Sequence, residues 1–282
     1  MTELMFKPDE TETLKMLNIE EEKLNHYYKL FTEWISSQKH LPQSYNETCL
    51  KKFLVWAKMD FEKAKKKFTK FCYNTITYKE FLCNRIVTLD GDLKSSKFVY
   101  LLPMRGLTPE GYRVFVVKIF DPDNFDILEM TRTLALCLDY RIHQDGMVAG
   151  EIGIFDMNGM RPHHYAKMFT PTFFKFAKFG TPTFFKFAKF GLLNLPFLVK
   201  HVLIINCHPV LEKGFAALRA ILPKKIGDRF VALSNPNDLA KYIPPDCLPE
   251  ELGGTDLTVY TTNFATALVA ALNGGERFLY QT

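Results

Sequence analysis

Residues 151–155 (EIGIF) and 202–205 (VLII) decide the fold, because each run is short and apolar enough to be a strand buried within a sheet. The chain between them is rich in Phe and long enough to hold a helical crossover. Two strands joined in this way form a βαβ unit and lie parallel. We therefore expect an α/β fold, in which a helical bundle precedes a mostly parallel sheet flanked by helices.

The connection between these strands contains an exact tandem repeat, TPTFFKFAKFG, at residues 170–180 and again at 181–191. On a helix its lysines form a narrow stripe and its Phe side chains cover the rest of the circumference. Each copy starts with Thr-Pro and ends with Gly, which favours two helices over one. The composition also suits a helix in a membrane interface. The interpretation we favour packs one copy on the sheet and leaves the other as a tolerated surface insertion.

The composition is that of a globular protein with one large core and a smaller helical unit: 282 residues, 47% hydrophobic and 24% charged. The net charge of +5 is mild and the lysines are scattered. This argues against a nucleic-acid partner and leaves an acidic membrane surface open as one. The 26 Phe residues predict either an aromatic core or an apolar cavity, and composition does not separate the two.

The N-terminal residues are acidic where an export signal would be basic and then apolar, and no run reaches the roughly 18 apolar residues of a spanning helix. We therefore expect a cytoplasmic protein. The six cysteines never form a Cys-x-x-Cys pair. That pattern predicts reduced and mostly buried thiols rather than a zinc site or a disulfide framework.

The first part of the chain predicts a small helical bundle. Residues 1–18 are polar and expected to be flexible, and a helical domain is expected over 19–88. Apolar residues recur at helical spacing from Glu20, over 47–58, and again after Asp60, which suits an N-cap. The lysines of the third helix could meet anionic lipid, but a solvated face is the interpretation we favour.

The remaining chain predicts a domain over 89–256 and then a C-terminal helix and tail over 257–282. Residues 98–102 and 112–120 suit strands, and the Thr-Pro-Glu-Gly turn between them makes them antiparallel. Apolar periodicity predicts helices at 127–140, 210–222 and 263–272.

Glu151 opens the first of the two deciding strands, which is an unusual place for a carboxylate. An unpaired charge in a central strand costs several kcal/mol. We therefore expect Glu151 to be paired, protonated or turned toward a polar opening. The sequence does not identify its partner.

Several short motifs follow one another along most of the chain. They are Leu41-Pro42, Phe53-Leu54, the stretch 60–65 (DFEKAK), Ile154-Phe155-Asp156 with Gly159, Ile204-Ile205-Asn206, Lys225-Ile226 and the stretch 248–254 (LPEELGG). Together they resemble the N-terminal helical module and the lipid-binding domain of CRAL-TRIO proteins, in particular the tocopherol-transfer-like and retinaldehyde-binding members.

The resemblance implies an apolar pocket between a sheet and a mobile gate helix, here residues 210–222. Such a protein carries a lipophilic small molecule and exchanges it at membranes, without a cofactor, a metal or catalysis, and a monomer is expected. The apolar residues that are candidates to line the pocket, with an ordinary core position as the alternative, are Val114, Val116, Ile152, Ile154, Phe215 and Leu218.

Tocopherol-transfer-like members hold phosphoinositide headgroups with basic side chains near the gate. The resemblance places Lys200, Lys225 and Arg229 at three of those positions, while Leu198 occupies a fourth and puts headgroup affinity or choice in question. Lysines that cap a helix C-terminus are the alternative. The Asn-x-Pro turn of the family is displaced here to residues 206–209, and the family has room for one copy of the repeat.

Two other functions compete with that of a carrier, which would sit in the cytoplasm and associate only transiently with membranes. One is a membrane scaffold or adaptor that binds phospholipid without transfer. The other is an enzyme built on His163, His164 and His208 with Asp156. The sequence has no G-x-S-x-G, H-E-x-x-H or glycine-rich phosphate loop, so the enzyme is not favoured.

Overall fold

The computed structural model describes residues 7–77, 99–125, 137–138, 141–142, 145–164, 196–209, 219 and 224–255. Several predicted features lie wholly or almost wholly outside these residues. They are the duplicated segment 170–191 and the helices predicted at 127–140, 210–222 and 263–272.

The N-terminal region is helical, as predicted. Its helices are α1 (Glu10–Met16), α2 (Glu21–Ser37), α3 (Glu47–Trp56) and α4 (Phe61–Thr77). Phenylalanine side chains form the centre of the bundle: the ring of Phe68 lies 5.4 Å from that of Phe31 and 5.2 Å from that of Phe53, all fully buried. These rings occupy the apolar stripes that the spacing predicted for α2, α3 and α4.

Side-chain caps fix where these helices begin. Asn46 Oδ1 accepts a hydrogen bond from the Cys49 amide at 2.7 Å, and the predicted cap Asp60 accepts one from the Lys63 amide at 2.9 Å. Helix α1, which the polarity of its sequence did not predict, starts in the same way at Asp9 and buries Leu14. Part of the segment expected to be flexible is therefore helical and contributes to the core.

Five strands form one sheet in the described part of the chain. They are β1 (Val99–Leu107), β2 (Tyr112–Ile119), β3 (Gly150–Asp156), β4 (Val199–Ile205) and β5 (Phe230–Ala232), in spatial order β1-β2-β3-β4-β5. The first pair is antiparallel and the other three pairs are parallel, which confirms the mostly parallel sheet. Strand β5 was not predicted. A short helix, α5 (Lys224–Gly227), precedes it.

The strand register sorts the side chains of β2 and β3 onto two faces, because alternate residues of a strand point to opposite sides. On one side Val114 pairs with Ile152 and Val116 with Ile154; we call these four residues the valine face. The other side, which we call the phenylalanine face, carries Arg113, Phe115, Glu151, Gly153 and Phe155. Phe115 lies across Gly153, where an added Cβ would meet the end of the Phe115 ring at 2.7 Å and would displace it.

Candidate functional site

The structure brings four of the six predicted pocket residues together on the valine face. Val114, Val116 and Ile154 are 0% exposed and Ile152 is 1% exposed. These four form one contiguous apolar patch across two parallel strands. The other two, Phe215 and Leu218, lie outside the described residues. The lining role of all six therefore stays a prediction.

The phenylalanine face is less completely covered. Phe115 and Phe155 are only half-buried, and their rings meet edge to face with centroids 6.3 Å apart. Neither residue was among the predicted pocket residues. Strict alternation along β2 and β3 was the signal that could have found this second apolar surface.

Glu151 lies at one end of the phenylalanine face and is paired, which is one of the three arrangements expected for it. Arg141 donates to both of its carboxylate oxygens, at 3.1 and 3.0 Å. Arg141 also donates to Asp145 at 3.3 Å, and Arg113 donates to Asp145 at 2.9 and 3.3 Å. All four side chains are at most 3% exposed, so each of these charges depends on the others for solvation.

Lys52 links this group to the helical bundle. Its Nζ donates to the backbone carbonyls of Arg141, Ile142 and Asp145 at 2.9, 3.2 and 2.7 Å. Burial lowers the pKa of Lys52 to about 8. We call Lys52, Arg113, Arg141, Asp145 and Glu151 the buried ion cluster. A cleft lies against this cluster, and Phe197 and Leu198 also line the cleft. The cluster joins α3 to the start of β2 and β3.

Burial and charge act in opposite directions on the two carboxyls of the cluster. For Glu151 burial dominates and raises the pKa, although Arg141 acts to lower it. For Asp145 burial also acts to raise the pKa, but the attraction of Arg141, Arg113 and Lys52 outweighs it and leaves that pKa below its usual value. Asp145 is therefore the firmly ionised member of the pair.

The structure places the predicted headgroup residues Lys200 and Arg229 near each other, and Lys225 near Lys67 of the helical bundle. Burial lowers the pKa of Lys200, and repulsion from Arg229 and from Lys58, which follows α3, adds to that effect. Glu151 pairs with Val199 and Ile152 pairs with His201, so a β-bulge in β4 falls at Lys200. The Lys200 Nζ lies 4.9 Å from the centre of the Tyr112 ring. A bulge of this kind redirects a side chain out of the regular alternation.

Lys67 of α4 extends this region onto the helical bundle. Its Nζ lies 3.2 Å from the centre of the Trp56 ring and donates to the Trp56 carbonyl at 3.2 Å. Burial, helped by repulsion from Lys63 and Lys225, lowers the pKa of Lys67 to about 7. We call Lys58, Lys67, Lys200, Lys225 and Arg229 the basic surface.

No ion pair with a carboxylate neutralises the basic surface within the part of the chain that the structure describes. Lys58 and Lys67 were missed because their approach to Lys200 and Lys225 depends on how two separate parts of the chain pack. No local pattern in the sequence indicates it.

Two residues of the enzymatic alternative, Asp156 and His164, have hydrogen-bond partners outside the predicted group. Asp156 accepts hydrogen bonds from Asn206 Nδ2 at 2.7 Å and from the Asn158 amide at 3.0 Å, which makes it part of a loop structure. His164 pairs instead with Asp123, at 3.0 Å. Asp156 is thus engaged away from the histidine that it was expected to serve.

Asp123, His163 and His164 offer three ligand atoms within 4.8 Å of one another, which raises the question of a metal. His164 Nδ1 accepts a hydrogen bond from the Arg161 amide at 3.0 Å. A neutral imidazole then holds its proton on Nε2 and donates it to Asp123, so neither nitrogen has a lone pair to offer. The geometry favours a structural hydrogen bond over a metal ligand.

The described residues include no helix that has both the length and the apolar character needed to cross a bilayer.

Comparison with known proteins places the sheet within a recognised domain. The family model described as CRAL/TRIO domain matches residues 97–254, a range that contains β1 through β5. A solved structure titled "Crystal structure of Sfh5" superposes with a TM-score of 0.50 and 13% sequence identity, covering 92% of each chain. At that identity the likeness extends to the fold alone.

Two curated relatives carry the same name. The mouse (Mus musculus) protein named alpha-tocopherol transfer protein-like is 27% identical over 237 residues, which is 82% of this chain and 65% of the mouse protein. The human (Homo sapiens) protein of that name is 26% identical, with the same coverage. The chain thus spans about 65% of the length of these relatives.

Proposed function

Because this chain belongs to the CRAL/TRIO domain family, we propose that it is a non-catalytic cytoplasmic carrier. It binds a lipophilic small molecule, such as a tocopherol, a retinoid or a similar lipid, in an apolar pocket. It exchanges this ligand at membranes that contain phosphoinositides. The observation that carries the proposal is that the family match covers the whole five-stranded sheet rather than a fragment of it.

The apolar sheet supplies the binding energy of such a carrier. Each ligand methylene that moves from water into an apolar cavity contributes about 0.8 kcal/mol, so a long-chain or isoprenoid molecule is held without covalent chemistry. In this proposal Val114, Val116, Ile152 and Ile154 belong to the pocket floor, and residues 210–222, with Phe215 and Leu218, form the gate. The name of the curated relatives supports a tocopherol-like ligand.

The basic surface supplies the membrane contact. Each Lys or Arg near an anionic leaflet contributes about 1 kcal/mol, and five such residues lie together here without a described carboxylate to neutralise them. Lys200, Lys225 and Arg229 hold the headgroup phosphates, and Lys58 and Lys67 widen the area that faces the leaflet. The cost of holding like charges together supports an anionic partner outside the chain.

Native-ligand analysis tests the carrier function. Protein purified under mild conditions is extracted with organic solvent, and the extract is analysed by mass spectrometry against an extract of an unrelated protein from the same cells. We expect one lipophile in near-stoichiometric amount. A reproducibly empty protein that also fails to move fluorescent tocopherol between vesicles contradicts the proposal.

The same preparation separates a carrier from a scaffold. A scaffold floats with phosphoinositide liposomes but carries no lipophile and accelerates no transfer between vesicles. A carrier does all three, and its transfer rate falls when the basic surface is weakened in Lys225→Ala/Arg229→Ala. The control is Lys29→Ala/Lys39→Ala, which removes two exposed lysines from another part of the helical bundle.

A further inference from the structure

We propose that Arg141 forms the polar end of the ligand site: its guanidinium Nε donates a hydrogen bond to a carboxylate at the head of a long-chain lipophile. The tail of that lipophile lies along the phenylalanine face. This inference rests on the proposed carrier function. It names a lipophilic acid as the ligand class, and it places the ligand on the face of the sheet opposite Val114, Val116, Ile152 and Ile154.

The first argument is an incomplete set of hydrogen bonds. Arg141 is 2% exposed, and its two terminal nitrogens are engaged by Glu151 and Asp145. Its Nε is buried and has no hydrogen-bond partner. A buried donor without a partner is costly, and more so when the group is charged. An acceptor oxygen at the head of a ligand removes that cost.

The second argument is charge. The buried ion cluster holds three cations (Lys52, Arg113 and Arg141) and two carboxylates (Asp145 and Glu151), which leaves a formal charge of +1. A net charge in a buried site is unfavourable unless it is compensated. A carboxylate on the ligand neutralises the cluster, whereas an alcohol does not. This favours an acid over a neutral lipid with the same chain.

The third argument is the apolar path that starts at Arg141. Its guanidinium carbon lies 5.8 Å from the centre of the Phe115 ring and 5.3 Å from that of Phe197. Phe115 in turn touches Phe155. From Glu151 to Phe155 the strand rises about 13 Å. A charged donor at one end of a half-buried aromatic strip matches a molecule with an acidic head and a hydrocarbon tail.

The valine face does not offer this combination. Its four residues are at most 1% exposed, and each pairs with another apolar residue across the strands. The phenylalanine face joins the half-buried rings of Phe115 and Phe155 to a buried guanidinium donor that has no partner. The two faces therefore make different predictions about which ligands bind best.

The test starts with the wild-type, full-length protein, stripped of lipid and loaded with oleic acid labelled with carbon-13 at its carboxyl carbon. The carbon-13 chemical shift is followed as the pH is lowered. A carboxylate paired with Arg141 has a depressed pKa and stays ionised below about pH 4, where free carboxylic acids are half-protonated. A bound carboxyl that titrates as it does in detergent micelles overturns the proposal.

The second measurement compares the affinities of oleic acid and oleyl alcohol. We expect the acid to bind the wild type about 10- to 100-fold more tightly, as one hydrogen bond to a charged group provides. This preference should be lost in Arg141→Met/Glu151→Met, which removes both members of a buried pair and so leaves neither unpaired. Arg161→Met, an exposed arginine beyond the end of β3, should keep it.

The outcomes separate this proposal from the carrier function. Equal affinity for the acid and the alcohol in the wild type overturns the role of Arg141 and leaves the carrier intact. Binding of neither compound, together with an empty native extract, overturns both. Folding of the double variant is checked by circular dichroism, and the carbon-13 titration does not depend on any variant.

Discussion

The protein has two groups of basic side chains with opposite surroundings. Lys52 of one group is close in sequence to Lys58 of the other. Lys52 in α3 belongs to the buried ion cluster, where every cation contacts a carboxylate or a set of carbonyl oxygens. Lys58, just after the end of α3, belongs to the basic surface, where cations face other cations. Anionic and carbonyl groups of the chain compensate the first group, whereas the second has no carboxylate partner among the residues that the structure describes.

The difference shows what each group is for. Opposite charges in a buried cluster fix the geometry of the elements that carry them, and here those elements are α3, β2 and β3. Like charges at a surface oppose folding: burial is the main cause of the lowered pKa values of Lys67 and Lys200, and repulsion from neighbouring cations lowers them further. This cost agrees with the proposal that an anionic partner outside the chain binds the basic surface.

The largest expected effect comes from breaking the buried ion cluster. Glu151→Ala leaves Arg141 with one carboxylate in place of two, and breaking a buried pair in this way costs about 3–5 kcal/mol. We expect a loss of that size in the free energy of unfolding, measured with urea. Glu110→Ala, at an exposed carboxylate, is the control and should change it by less than about 0.5 kcal/mol. Equal effects of the two substitutions would show that the cluster does not stabilise the fold.

The second prediction concerns acid. Because folding lowers the pKa of Asp145, its ionised form stabilises the protein above about pH 4, and that stabilisation is lost as the pH falls through the folded-state pKa. We expect Asp145→Asn to cost about 3 kcal/mol at neutral pH and less at about pH 3, because the stabilisation decreases below the unfolded-state pKa. Urea titrations at the two pH values measure the difference. A cost that does not change with pH would show that Asp145 acts through packing alone.

Substitutions in the basic surface should have the opposite effect to those in the buried ion cluster: they should weaken membrane binding and leave stability unchanged. Lys225→Ala/Arg229→Ala should weaken binding to phosphoinositide liposomes by about 2 kcal/mol, or about 30-fold. Stability should not fall, because no described carboxylate loses a partner. Flotation measures the first quantity and urea denaturation the second, with Lys29→Ala/Lys39→Ala as the charge-matched control. Unchanged flotation contradicts the role of this surface.

Much of the fold could be predicted from the sequence, because apolar spacing is a local property. It predicted α2 to α4, the antiparallel pair of β1 and β2, and the parallel pair of β3 and β4. It did not predict β5, since three residues are too few to show a period. It also did not predict α1, which buries only Leu14 and Thr13 and is otherwise polar.

The sites were less predictable, because they depend on contacts between distant parts of the chain. Glu151 was recognised as needing a partner, but nothing in the sequence indicates that the partner is Arg141. Lys52 follows another lysine and has the local pattern of a solvated residue, yet it is 6% exposed. The resemblance to a family supplied Lys200, Lys225 and Arg229, whereas Lys58 and Lys67 emerge only from the packing of the bundle against the sheet.

A smaller effect is expected from pH on membrane binding. The pKa of Lys67 is lowered to about 7 by burial and by Lys63 and Lys225, and a bound anion favours its protonated form. Binding to phosphatidylserine vesicles should therefore take up a proton and strengthen by about fivefold, or 1 kcal/mol, as the pH falls from about 8 to about 6.5.

Arginine stays charged at every pH, so Lys67→Arg should bind with little dependence on pH. A second titratable group in this region is His201, whose pKa lies below its usual value because of burial and the charges of Arg229 and Lys200. Vesicle binding by Lys67→Arg and His201→Gln proteins separates the two. An unchanged pH dependence in Lys67→Arg would assign it to His201.

The smallest effect is expected at the boundary between the two groups. Leu198 is half-buried, lines the cleft with Lys52 and Glu151, and precedes Lys200 by two residues. Leu198→Lys adds a cation that is worth up to about 1 kcal/mol if it faces the leaflet. The substitution does not strengthen membrane binding if the new ammonium group instead turns inward toward Glu151. Liposome flotation at two salt concentrations decides between these, because screening weakens only the exposed charge. A salt-sensitive gain assigns position 198 to the basic surface, and a rise in stability without such a gain assigns it to the buried ion cluster.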